Sequence, residues 1–217
     1  MNTDNIFHLI EQHPEHEQLL LLASLSVAWL EPQSPVAATL IQRYRERNYD
    51  FAALRETALQ LFLLAGFQTS LEAAFQIEEI YGYGLDHDDQ AQSDLHLSEY
   101  NRRGEELQAA VYRGNIEQLR LNLEKVSAQL AAWTVWIGYG LVMSRPGLPP
   151  HWRELFEIAV LAVQGFPRQL HSHFRGALNL GASPDEVDLI LQAVAEAMPP
   201  ERQRSALHMW RRIRPAT

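Results

Sequence analysis

The chain has 217 residues, of which 47% are hydrophobic and 21% charged, a composition typical of a globular protein with one domain or two small ones. It contains no cysteine, which excludes disulfides, thiolate metal sites and cysteine nucleophiles. The formal net charge is −9 and the only basic cluster lies at residues 202–214, so we expect no nucleic-acid partner.

The first apolar stretch runs from Leu19 to Leu30 and is shorter than the roughly 20 residues that cross a bilayer. No Lys or Arg precedes Arg43, whereas a secretory signal begins with a basic segment. We therefore expect neither a membrane partner nor a secretory signal, and a cytoplasmic location.

Helical periodicity dominates the chain, and no alternating β-branched run of strand length occurs. The predicted fold class is all-α, with helices at roughly 15–30, 35–47, 51–65, 69–81, 97–112, 115–127, 128–143, 151–164, 168–180, 184–197 and 201–213. A polar loop at 82–94 divides an N-terminal helical region, 1–84, from a C-terminal domain, 97–217. Packing of the two as one compact unit remains open at this point.

Helix ends are marked at a few positions. Ser183, Pro184 and Glu186 form the pattern of a capping box, and Gly181 suits the left-handed end of the preceding helix. Asn115 with Gln118 is a weaker capping pair. Residues 144–150 contain three prolines and a glycine, which interrupt any helix there.

A faint internal repeat links the two regions. Residues 63–67 (LLAGF), followed by Leu71, parallel residues 162–166 (AVQGF), followed by Leu170. In both, an apolar helix ends at Gly-Phe and another begins shortly afterwards, which favours a partial duplication.

The helix at 151–164 is apolar nearly all round, which predicts a central, buried helix. Arg153, Glu154 and Glu157 are polar exceptions within it. In the next helix, His173 shares the apolar face of Leu170, Phe174 and Ala177, whereas His171 points to nearly the opposite side. We expect His173 to face the core or a cavity in it.

The C-terminal region resembles the carboxymuconolactone decarboxylase family over roughly 97–217. The resemblance is carried by an ordered set of motifs: Tyr139-Gly140, Ser144-Arg145-Pro146-Gly147-Leu148, Arg153-Glu154-Leu155, Gln169-Leu170, residues 173–179 (HFRGALN) and Gly181. It implies an alkylhydroperoxidase D-like helical bundle, with the N-terminal helices as a partial duplication. Residues 54–81 resemble the closing hairpin of the family, so they form a degenerate copy of it.

One branch of this family, similar to alkylhydroperoxidase D, places a Cys-x-x-Cys pair between a Glu and a His. Counted from Glu154 to His173, those positions are Phe166 and Gln169 here. Thiol peroxidase chemistry is therefore excluded.

The decarboxylase branch, as the resemblance implies, uses no cofactor and no metal. It removes carbon dioxide from a small carboxylated lactone and protonates the dienolate that remains. The implied catalytic residues are His173, as general acid, and Glu154, which orients it; the implied substrate-binding residues are Arg145, Arg175 and Tyr139.

Each assignment has a structural alternative. If it is not catalytic, His173 is a hydrogen-bonded histidine of the core. If it has no role in the site, Glu154 is an acid that the helix dipole favours. Arg145 otherwise caps the helix that ends near Met143, and Arg175 lies at a surface or subunit interface. For the whole protein, the alternative is a non-catalytic or ligand-binding member of the scaffold.

Homo-oligomers are expected, because the apolar residues of 128–143 and 151–164 exceed what a small bundle buries. The resemblance agrees, since members of the family assemble into rings. Trp133, Trp136 and Tyr139 share one face of the predicted helix and are typical of a core or an interface.

Overall fold

The computed structural model describes residues 1–87 and 96–215. Its α-helices are α1 (Thr3–Gln12), α2 (Glu17–Ala28), α3 (Pro35–Glu46), α4 (Phe51–Leu64), α5 (Phe67–Tyr81), α6 (Leu97–Tyr112), α7 (Ile116–Val126), α8 (Ala128–Trp133), α9 (Pro150–Gln164), α10 (Pro167–Asn179), α11 (Pro184–Ala193) and α12 (Pro200–Ile213). A π-helix, Thr134–Met143, continues α8, and the described ranges contain no strand. The predicted all-α fold is confirmed.

Two predicted helix ends agree with the structure in detail. Ser183 and Glu186 form the capping box at the start of α11, with both reciprocal hydrogen bonds present. Gly181, with φ +100°, adopts the left-handed conformation just after α10. The predicted loop at 82–94 is non-helical over 82–87, and its remainder lies outside the described residues.

Three predictions of local structure were wrong. Helix α1 was missed because only Ile6, Leu9 and Ile10 form its buried face, too few for a clear period. Asn115 makes no capping hydrogen bond, because a 3₁₀ turn brings its backbone to ψ 0° and Gln118 bonds to Asn122 instead. The helix predicted at 184–197 ends at Ala193 and continues as a separate 3₁₀ turn.

Helices α2 and α9 form the centre of the molecule. Both are buried nearly all round, and one hydrophobic core joins them to α1, α3, α4, α5, α10, α11 and α12. The N-terminal region and the C-terminal region therefore share a core, and α9 lies between α2, α4 and α10.

The two repeated segments form helical hairpins, each with a glycine at positive φ between its helices. Gly66, between α4 and α5, has φ +91°, and Gly165, between α9 and α10, has φ +82°. Glycine is favoured at such angles because it has no Cβ. Glutamine side chains donate hydrogen bonds between the hairpins: Gln60 Nε2 donates to the Arg153 carbonyl at 2.9 Å, and Gln164 Nε2 donates to the Leu64 carbonyl at 3.2 Å.

The π-helix packs against α6 backbone to backbone. A side chain at Gly104 would overlap the Val135 carbonyl, and one at Gly140 would overlap the Tyr100 carbonyl. The wider turn of a π-helix also changes which residues share a face. Tyr139 is consequently buried while Trp133 is 42% exposed, so the predicted common face of these two aromatics was wrong.

No helix in the described ranges combines the length and the apolar character that a bilayer crossing requires.

Candidate active site

His173 lies on α10 and points inward, as its periodicity predicts. Its side chain is 14% exposed, and its Nδ1 lies 2.9 Å from Oε2 of Glu154 on α9. His171 is exposed on the other side of the helix. A carboxylate bonded to Nδ1 fixes the orientation of the imidazole and leaves Nε2 as the nitrogen that exchanges a proton.

Glu154 reaches His173 across a gap that a glycine leaves open. Its side chain is fully buried, and a Cβ at Gly176 of α10 would overlap its carboxylate and the Val111 side chain. Gly176 thus allows α9 and α10 to approach closely enough for the Glu154–His173 bond. The alternative role of Glu154 as a first-turn acid does not apply, because α9 begins at Pro150 and has no acidic residue in its first turn.

Glu157 is a second carboxylate at the same imidazole. Its Oε2 lies 3.8 Å from His173 Nε2, and its side chain is 6% exposed. The sequence offered a signal for it, since Glu157 follows Glu154 by three residues and hence shares its helix face. It was not included among the predicted site residues.

The two carboxylates decide the protonation of His173. Burial by itself lowers the pKa of a histidine, but the negative charges of Glu154 and Glu157 and the hydrogen bond from Glu154 raise that of His173 to about 9. Burial also raises the pKa of Glu157 to about 7, against the opposing charge of His173. At neutral pH the imidazole therefore carries its proton and Glu157 titrates.

Tyr139, from the π-helix, lies near these carboxylates. Its hydroxyl donates a hydrogen bond to the Tyr112 hydroxyl of α6 at 3.0 Å. Burial raises its pKa far above the ordinary value, and the charge of Glu154 adds to the effect. Burial similarly raises the pKa of Tyr112 to about 12. Both phenols thus stay protonated, with Tyr139 as the donor and Tyr112 as the acceptor of the bond between them.

Arg145 lies in an ion pair with Glu56, a fully buried residue of α4. Its Nε is 2.9 Å from Glu56 Oε2 and its Nη2 is 3.0 Å from Oε1, a bidentate arrangement. Arg153, next to Glu154 on α9, donates to the same Oε2 at 2.9 Å. Glu56 was not predicted; its signal was a charged Arg55-Glu56 pair within an apolar helix.

Arg175 lies apart from His173. It is exposed on the outer face of α10, where it lines a groove of about 640 Å³ against α12 together with His171, His208 and Arg212. The structure therefore brings His173, Glu154 and Tyr139 together, and puts Arg145 at Glu56 and Arg175 in the outer groove.

Residues 129–211 match the model of the carboxymuconolactone decarboxylase family. This part of the chain is similar to the carboxymuconolactone decarboxylase family. The matched segment contains all five predicted site residues as well as Glu157. Glu56, Gln60 and Tyr112 lie outside it.

A curated relative extends the likeness within the carboxymuconolactone decarboxylase family. The chain is 43% identical over 72 residues to the 4-carboxymuconolactone decarboxylase of Acinetobacter baylyi (strain ATCC 33305 / BD413 / ADP1). The alignment covers 33% of this chain and 53% of that relative, so the chain spans about half the length of the curated relative it matches.

Proposed function

We propose that the protein catalyses cofactor-free decarboxylation, or a related proton transfer, on a small carboxylated lactone or keto acid. The observation that carries the proposal is the His173 imidazole, held by Glu154 at Nδ1 and facing Glu157 at Nε2. An imidazolium that points a proton away from its orienting carboxylate has the arrangement of a general acid.

The proposed reaction divides into two steps. The carbon–carbon bond to the substrate carboxylate breaks, carbon dioxide leaves, and the electron pair remains as a dienolate. His173 Nε2 then donates its proton to the dienolate carbon, and the imidazole becomes neutral. Tyr139, as a protonated phenol near the carboxylates, is the proposed donor to the developing enolate oxygen.

Arg145 is the proposed residue for the substrate carboxylate. Its side chain is 17% exposed, and in the contact with Glu56 its guanidinium donates two hydrogen bonds to one carboxylate. Through Glu56 it is connected to Arg153, the neighbour of Glu154, whereas Arg175 lies on the opposite face of α10. We therefore assign Arg175 the lesser part in substrate binding.

The test is a spectrophotometric decarboxylation assay with 4-carboxymuconolactone. We expect turnover by the wild type, loss of turnover in His173→Ala, and normal turnover in the matched variant His171→Ala, which removes an exposed histidine from the same helix. Circular dichroism and thermal unfolding establish that both variants are folded. Turnover by His173→Ala at the wild-type rate would sink the assignment.

The second candidate is a non-catalytic, ligand-binding member of the scaffold. The observation that favours it is the Arg145–Glu56 ion pair, because a carboxylate of the protein itself already occupies the guanidinium. In that case a carboxylated lactone would raise the melting temperature without being consumed.

We also propose that the protein is a homo-oligomer that binds a small-molecule carboxylate. Leu121, Val126, Leu130 and Trp133, on α7 and α8, are large apolar residues that are at least 42% exposed. A second copy of the chain would cover them. Light scattering at micromolar concentration tests this, and a monomer would refute it.

A further inference from the structure

Glu157 is a buried carboxyl with no guanidinium partner among residues 1–87 and 96–215, and unlike Glu154 it is not within hydrogen-bond distance of His173. Glu56 pairs with Arg145 and Arg153, and Glu17 pairs with Arg43 and Arg47. The ionisable neighbours of Glu157 are His173 at 3.8 Å, Glu154 on its own helix, and the phenols of Tyr112 and Tyr139. A carboxyl buried without a cation that is permanently charged is held readily as a neutral acid.

The distance between Glu157 and His173 leaves the Nε2 proton available. At 3.8 Å the two atoms are beyond hydrogen-bond distance, whereas Glu154 holds Nδ1 at 2.9 Å. Glu157 thus faces the nitrogen that exchanges its proton without competing strongly for it. A small shift of either side chain, or one intervening water molecule, would connect them.

Gln60, from the N-terminal region, is a neutral polar neighbour of Glu157. Its Nε2 donates to the Arg153 carbonyl, while its Oε1 is buried with no hydrogen-bond partner in the described ranges. Gln60 also lies close enough to Glu157 to influence its pKa. The hydrogen bond between the Gln60 amide and Glu157 lowers the pKa of that carboxyl, so Gln60 positions the side chain and opposes part of the rise that burial causes.

We propose that Glu157 stores the proton that His173 delivers, and that Gln60 positions the Glu157 carboxyl. The inference rests on the proposed function. After His173 Nε2 has protonated the dienolate carbon, the O–H bond of Glu157 breaks and its proton moves to Nε2. The Glu157 carboxylate then takes up one proton from solvent, so each turnover consumes one proton and releases one carbon dioxide.

The groups that surround this pair fix the direction of its pH dependence. They are Gln60 from α4, Tyr112 from α6, Tyr139 from the π-helix, Glu154 from α9 and His173 from α10. Residues 18–28 of α2, which also packs on α9, contain no ionisable side chain. On α11, Asp188 is engaged by Trp210 and Arg214. Only His173 can return a positive charge to this group of side chains.

The first test needs no substrate. Glutamate side-chain carboxyl carbons and histidine ring nitrogens are isotopically labelled, and both are titrated by NMR in the wild type and in Glu157→Gln. We expect one glutamate signal with a midpoint near 7 that is absent from the variant. We also expect the His173 midpoint, near 9 in the wild type, to fall in the variant because one negative charge is lost. A wild type in which every glutamate has ionised by pH 6, or an unmoved His173 midpoint, would overturn the inference.

The second test measures turnover against pH in wild type and variants. Glu157→Gln should lower kcat by at least about tenfold and remove the limb of the pH profile near 7, while Glu157→Asp restores part of both. Gln60→Ala should move that limb upward, because the amide of Gln60 lowers the pKa of Glu157. Gln164→Ala, which also removes a glutamine-to-carbonyl bond between the two hairpins, serves as the matched control and should leave the limb in place.

The two tests separate the inference from the proposed function. If the wild type turns over no lactone, the proposed function fails, and the titration still decides whether Glu157 and His173 share a proton. If the wild type is active and Glu157→Gln keeps both its rate and its pH profile, the relay is overturned while the assignment of His173 stands.

Discussion

Two buried charge clusters lie side by side on α9 and have opposite characters. In the Glu56 cluster, formed by Glu56, Arg145 and Arg153, two guanidinium groups share one buried carboxylate. In the His173 cluster, formed by His173, Glu154 and Glu157, carboxyl groups outnumber the base, and two members titrate between about 7 and 9. The comparison indicates that the Glu56 cluster, in which each charge has an opposite partner, joins the two regions. The proposed proton transfer depends on the His173 cluster, in which the carboxyl groups outnumber the base.

Both clusters depend on a glycine that lets a carboxylate approach the backbone. A Cβ at Gly147, which has φ +93°, would lie 2.9 Å from Glu56 Cγ, and a Cβ at Gly176 would overlap the Glu154 carboxylate. Close packing is thus common to both clusters. The difference in function comes from the partners of the carboxylates, guanidinium in one and imidazole in the other.

The largest expected effect is on stability, from Glu56→Ala. It leaves the guanidinium of Arg153, which is 1% exposed, without its carboxylate, and such a loss costs about 3–5 kcal/mol. Urea unfolding measures the change. Glu99→Gln, which breaks an ion pair with Arg102 on the surface of α6, is the control and should unfold like the wild type. An equal loss of unfolding free energy in both variants would show that the buried Glu56 cluster contributes no more to stability than a surface ion pair.

The second effect is a loss of stability at alkaline pH that belongs to the His173 cluster. The pKa of His173 is about 9 in the folded protein against an ordinary value of 6.5, so its contribution is complete below 6.5 and is lost as the pH rises through 9. The raised pKa of Glu157, about 7 against 4.5, acts in the same direction between those values.

We expect the histidine contribution to be at most about 3 kcal/mol, since one pKa unit corresponds to about 1.4 kcal/mol. Unfolding free energies at pH 6.5 and pH 9 measure it. His173→Gln should flatten the decline across this range. A variant that declines as steeply as the wild type would show that another group is responsible.

The third effect comes from Gly176→Ala. The added methyl group overlaps the Glu154 carboxylate and Val111, so Glu154 must move away from His173. We expect destabilisation of about 1–3 kcal/mol and a lower His173 pKa, measured by unfolding and by NMR titration. Gly114→Ala is the control, because no atom lies within 4 Å of a Cβ there. An unchanged His173 pKa in Gly176→Ala would mean that α10 tolerates the methyl group by shifting as a whole.

The smallest effect is expected from Arg175→Gln. Arg175 is exposed in the groove between α10 and α12, so its loss should change stability by less than about 0.5 kcal/mol. Its effect on KM should be smaller than that of Arg145→Gln, as compared in the decarboxylation assay. A larger increase in KM for Arg175→Gln than for Arg145→Gln would mean that Arg175 contributes more to binding the substrate carboxylate.

The sequence by itself determined the helices, the buried character of α9 and the inward direction of His173, because these follow from the period of apolar residues along one helix. The motif order likewise indicated the resemblance to the carboxymuconolactone decarboxylase family and the pairing of Glu154 with His173. Missed or wrong features were those that local pattern does not encode. They include α1, with its three buried residues, and the π-helix, whose wider turn separates Trp133 from Tyr139.

Only the tertiary structure decided which charges meet. Arg145 and Glu56 are 89 positions apart, and Gln60 and Arg153 are 93 positions apart, so no spacing along the chain predicts either contact. A buried charge takes its pKa from the groups that packing brings around it. The sequence therefore identified His173 and its partner Glu154. The packing of α4 against α9 decided the rest: Arg145 is paired with Glu56, whereas Glu157 has no guanidinium partner among the described residues.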